Sequence, residues 1–101
     1  MSNEPVQAST DPRTAEVLLA NKVGLHARPS VKLTQLAKGF ASSVELALDP
    51  AGPWTDAKSP VKVMRVKAPK GACLHVRTSG PNADAALAAV LDLVHGKFGE
   101  E

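Results

Sequence analysis

The stretch Gly24-Leu25-His26-Ala27-Arg28-Pro29-Ser30 gathers the side chains of this sequence that could do chemistry. Imidazole is a good nucleophile, and histidine side chains titrate near pH of about 6.5, so much of the ring is neutral at physiological pH. A phosphoryl group on an imidazole nitrogen is labile, which suits a group that must be handed on. Such a site needs anion stabilisation that does not trap the group. Pro29 has no N–H and sits well in a first helical turn, so the sequence predicts a helix beginning there. The backbone N–H groups of Ser30 and Val31, aided by the helix dipole, are then the expected phosphate donors. Arg28 adds a charge-assisted clamp. A lone histidine before a helix is more often a surface or capping residue, and only this company raises the estimate for His26.

The remaining candidates point to bland roles. His75 and His95 have no ligand spacing with His26 or with each other, so no metal site is expected. Cys73 is the single cysteine, which excludes an intramolecular disulfide and favours a reducing compartment. It reads as a small, partly buried strand residue. Trp54 is expected to cover a sheet edge, and Asp92 to be solvated.

The elements that must position the chemistry fit in 101 residues, enough for one domain but not for a deep substrate cavity. Residues 1–14 are polar, carry no signal-peptide core and read as an extension; residues 15–101 read as the domain. The longest apolar run, Ala85 to Leu91, is far too short to span a membrane. Ala15–Asn21 reads as a strand, followed by a break in which Gly24 supplies turn geometry. Leu33, Leu36, Ala37 and Phe40 form one helical stripe. Ser43–Leu48 alternates as a strand with Val44, Leu46 and Leu48 inward, and a short strand is expected around Trp54–Ala57. Ser59 as N-cap and Pro60 after it open a short helix, although the valines of the segment favour strand. Ala72–Ser79 alternates with Leu74, Val76 and Thr78 inward. Asn82 can cap a last helix with the stripe Leu87, Val90, Leu91 and Val94. Short connections imply an antiparallel sheet with helices on one face, an α+β fold.

The net charge of +2 conceals an asymmetry. No acidic residue lies between Asp56 and Asp84, while Lys58, Lys62, Arg65, Lys67, Lys70 and Arg77 do. Such a field can steer an anionic partner. No aromatic interleaves with these charges, so a stacking platform for nucleic acid is missing.

Gly24-Leu25-His26-Ala27-Arg28-Pro29 resembles the active-site motif of the HPr phosphocarrier family of the bacterial phosphoenolpyruvate-dependent sugar phosphotransferase system. Ala37-Lys38-Gly39-Phe40, Ala57-Lys58-Ser59, Lys70-Gly71 and Ser79-Gly80 resemble later landmarks of that family in the same order. The resemblance implies an open-faced β-sandwich: a four-stranded antiparallel sheet with three helices on one face. It implies a cytoplasmic, monomeric carrier without cofactor, and not an enzyme. His26 would accept a phosphoryl group on Nδ1 from enzyme I and pass it to an enzyme IIA domain, with Arg28 orienting it. Leu25, Val61, Lys62, Met64 and Arg65 are the implied partner contacts. Ser59 occupies the place of the family's regulatory serine, the target of an HPr kinase, but Pro60 follows it where a bulky apolar residue is usual. The alternatives are a paralogue serving dihydroxyacetone kinase, fructose uptake or a nitrogen-regulatory relay, and a basic nucleic-acid-binding module.

Overall fold

The computed structural model describes residues 12–99. Four strands, β1 (Arg13–Leu18), β2 (Ser43–Ala47), β3 (Thr55–Asp56) and β4 (Cys73–Ser79), form one sheet in the order β1-β4-β2-β3. Every neighbouring pair is antiparallel. Three helices accompany them: α1 (Ala27–Lys38) between β1 and β2, α2 (Pro60–Val66) between β3 and β4, and α3 (Ala83–His95) after β4. A left-handed turn over Lys97–Gly99 ends the described chain.

Period-two alternation decides which side of the sheet is covered. Val17, Val44, Leu46, Leu74, Val76 and Thr78 are buried on one face. Leu33 and Ala37 of α1, Val63 of α2, and Ala86, Val90 and Val94 of α3 close the same core. The other face carries Glu16, Glu45, Cys73, His75 and Arg77, and among the described residues no helix lies over it. This is the expected two-layer α+β sandwich.

Several local expectations shift. β1 takes in Arg13 and Thr14, which pair with Thr78 and Arg77; residues 1–11 of the expected extension lie outside the described residues. β2 stops at Ala47, and Leu48, expected inward, is 44% exposed because the chain leaves the sheet before reaching it. In α3 the fully buried positions are Ala83, Ala86, Val90 and Val94, with Leu87 and Leu91 only half-buried. Asn82 occupies the N-cap of α3 in a left-handed conformation (φ 60°) without a side-chain capping bond. The ambiguous segment after Ser59 is helical: the Ser59 hydroxyl accepts from the Lys62 N–H at 3.4 Å and Pro60 fits the first turn. Local capping here outweighs the strand preference of valine.

Two residues of the open face differ from expectation. Cys73 is exposed, since among the described residues no second layer covers its side of β4. Trp54 lies over the Arg77 guanidinium, 4.2 Å from the ring centroid, and so covers the middle of the open face and not the edge. Arg77 is held from its other side by Glu45, at 2.8 Å from Nη2 to Oε1.

Candidate functional site

His26 is the N-cap of α1, with extended backbone (φ −85°, ψ −171°) and no side-chain capping bond. The imidazole is therefore exposed and not spent on the helix. α1 starts at Ala27, earlier than the sequence predicts, because Pro29 is tolerated anywhere in a first turn whose N–H groups have no i−4 partner.

That earlier start places the expected phosphate donors deeper in the helix. The Ser30 N–H is bonded to the His26 carbonyl at 2.9 Å, and Ser30 is completely buried. Its hydroxyl donates to the Leu25 carbonyl at 3.3 Å. Val31 sits a further residue inside the helical ladder. Ala27 and Arg28 are the first two residues of α1 after the His26 N-cap. The Arg28 side chain is exposed on the same turn.

The turn before His26 is tied down on both sides. Asn21 Nδ2 donates to the Gly24 carbonyl at 2.8 Å, and the Gly24 N–H returns to the Asn21 carbonyl at 3.3 Å. Gly24 has φ +62°, and a Cβ there would collide with the Ala68 carbonyl oxygen. The Leu25 N–H donates to that same carbonyl at 2.9 Å. Sequence reasoning marked Gly24 but missed Asn21; the spacing of Asn followed three residues later by Gly was the available signal.

A cleft of about 480 Å³ opens beside His26. Val23, Leu25, Met64, Lys67 and Pro69 line it together with His26. Of the expected partner contacts, Met64 is half-buried in this cleft, while Leu25 is only 3% exposed and belongs to the core. Val61 is 54% exposed. Lys62 and Arg65 line a different cleft of about 350 Å³, with Leu48 and Pro53. The basic stretch is likewise divided: Lys67 faces the His26 cleft, the Lys58 ammonium donates to the Phe40 carbonyl, and Arg77 is engaged on the open face. Helix and strand geometry disperse charges that are neighbours in sequence.

Among the described residues no group of three His, Cys, Asp or Glu side chains could hold a metal ion. No helix among them is long and apolar enough to cross a membrane.

The family model described as the PTS HPr component phosphorylation site matches residues 13–95. Phosphocarrier protein HPr of Cupriavidus necator is 42% identical over 85 residues, covering 84% of this chain and 93% of that protein. Phosphocarrier protein NPr of Escherichia coli is 38% identical over 85 residues, with the same coverage. The crystal structure of HPr-C-His from Thermoanaerobacter tengcongensis superposes with a TM-score of 0.81 at 30% identity, covering 88% of this chain and 98% of that one. Fold and comparisons together define a phosphocarrier of the phosphotransferase system, a protein that relays a phosphoryl group and is not itself a catalytic enzyme. The chain belongs to the PTS HPr family.

Proposed function

We propose that His26 is the phosphoryl acceptor, receiving the group on Nδ1 from phosphorylated enzyme I and giving it to an enzyme IIA domain. The observation that carries this reading is an exposed N-cap histidine whose ring makes no capping bond. As Nδ1 forms its bond to phosphorus, the bond to the donor breaks. The first-turn backbone of α1 and the Arg28 guanidinium meet the phosphate oxygens. Exposure matters as much as stabilisation, because donor and acceptor must reach the same nitrogen in turn.

The cleft holding Met64 and Lys67 beside His26 suits a partner surface that is partly apolar and acidic. Exposed Val61 and, across α2 in the separate cleft, Lys62 and Arg65 are further contacts for such a partner. We propose that the protein works as a monomer in the cytoplasm, where these partners reside. For Ser59 we favour the capping role over phosphorylation by an HPr kinase, since its oxygen already accepts from the Lys62 N–H. The similarity to NPr supports a second reading, in which the same carrier chemistry serves a specialised relay. The dispersal of Lys58, Lys67 and Arg77 disfavours a nucleic-acid module.

Incubation with enzyme I and phosphoenolpyruvate is expected to add the mass of one phosphate, acid-labile and mapped to His26. His26→Ala is expected to remain folded and unlabelled. Labelling of the His26→Ala protein to the same extent would refute the assignment. Comparing enzyme IIA domains from different branches as acceptors separates the two relay readings.

A further inference from the structure

We propose that Asn21 is a positioning residue for His26, acting through the turn that precedes it. The inference rests on His26 being the phosphoryl acceptor. Asn21 is 2% exposed and touches the site only through the backbone. Its amide orientation is fixed by chemistry: the Gly24 carbonyl can only accept, so the NH₂ group must face it. The other end of the amide, Oδ1, is buried and meets no donor among the described residues. Burying an unmatched acceptor opposes folding. The placement is thus poor value as packing, and its return is the geometry of the Gly24 peptide.

That geometry sets where His26 begins. The Gly24 carbonyl is held by Asn21, the Leu25 N–H by the Ala68 carbonyl, and the Leu25 carbonyl by the Ser30 hydroxyl. The peptide groups leading into His26 are therefore fixed by three separate elements, the 21–24 turn, the 68–71 turn and α1. An imidazole whose backbone is held this way is positioned at the N-cap of α1 without a side-chain capping bond. Fixing the ring by a side-chain bond would compete with the phosphate; fixing the backbone does not. Misplacement of a reacting atom by about 1 Å can slow a reaction about a hundredfold.

Two substitutions of the full chain separate positioning from packing. Asn21→Leu keeps the branched shape but removes the donor. Asn21→Ser is smaller but keeps a donor that can reach a turn carbonyl. Asn21→Leu is expected to stay folded, to transfer phosphate about ten- to a hundredfold more slowly from enzyme I, and to shift the backbone amide NMR signals of Gly24 to Ala27. Asn21→Ser is expected to transfer faster than Asn21→Leu although its thermal midpoint is no higher. Transfer rates that rank with thermal midpoints, or wild-type transfer by folded Asn21→Leu, overturn the proposal. If Asn21→Leu does not fold, Asn21→Ala carries the test, with transfer several-fold slower than that of Asn21→Ser expected and wild-type transfer by the folded variant refuting the proposal. Failure of the wild-type protein to be phosphorylated on His26 would instead strike the acceptor assignment. In that case unchanged amide signals in Asn21→Leu would still refute the positioning role on their own.

Discussion

Cys73 and Glu16 meet on the uncovered face of the sheet, where Sγ donates to Oε1 at 3.3 Å. That hydrogen bond, followed by desolvation and the carboxylate charge, pushes the thiol above its ordinary range. The thiol form is thereby favoured, and the reactive thiolate forms only at higher pH. Glu16→Ala should bring the onset of iodoacetamide alkylation at Cys73 to lower pH and speed it severalfold near neutrality, as followed by mass spectrometry. An unchanged alkylation profile would show that Glu16 does not control the thiol. At this scale the exposed place of His26 just before a helix was legible, because the adjoining Pro29 announces a first helical turn. The burial of Ser30 was not, since it depends on where the helix starts, and one residue's change in register moves an N–H from solvent into the ladder. Cys73 was misjudged for a related reason: alternation tells which residues share a face, but not which face is covered.

The elements were easier to read where local signals agreed. Ser59 and Pro60 together predict the start of α2, and the Ser59 hydroxyl does accept from Lys62, although at a long 3.4 Å. Ser59→Ala should therefore cost only about 0.5–1 kcal/mol, at the low end for lost caps. Urea titration would measure it, and phosphoryl transfer from enzyme I should be nearly unchanged. A large loss of transfer with normal stability would instead assign Ser59 a role at the partner surface. The short β3 falls inside the expected Trp54–Ala57 segment, but its two-residue extent, Glu45 pairing with Asp56 and Leu46 with Thr55, was less legible. Two residues carry no period, so only the neighbouring strand defines it. The division of Lys62 and Arg65 from Met64 and Lys67 was hidden too, because it follows from which sides of α2 meet the hairpin and the His26 turn.

Across the molecule, the end of the described chain contributes as much as its middle. Phe98 is 1% exposed and joins the core, and its carbonyl accepts from the Lys32 ammonium at 2.7 Å. Lys97 and Phe98 both hold positive φ, at 54° and 58°, a conformation that persists only when surroundings enforce it. The buried ring supplies that enforcement and ties the tail to α1. Phe98→Ala should lose about 3–5 kcal/mol, lowering the thermal midpoint by more than about 10 °C in a domain this size. A calorimetric midpoint within a few degrees of wild type would show that the tail is dispensable. The sequence did not disclose this anchor, since an aromatic after a helix-ending His-Gly-Lys reads as a loose end.

The ties between the turn after β1 and the turn before β4 also have a temporal meaning. The Leu19 N–H donates to the Ala72 carbonyl and the Gly71 N–H to the Leu19 carbonyl, as the Leu25 N–H does to the Ala68 carbonyl. A chain emerging from the ribosome carries His26 long before it carries Ala68, and contacts so distant in sequence form slowly. The histidine's chemical identity is thus present from early synthesis, while its setting waits for most of the domain. Ribosome-stalled chains ending before Ala68 should accept little phosphate from enzyme I, and chains extended past the last helix should accept it fully. Premature traffic in phosphate would be prevented by the order of synthesis, with no inhibitor required.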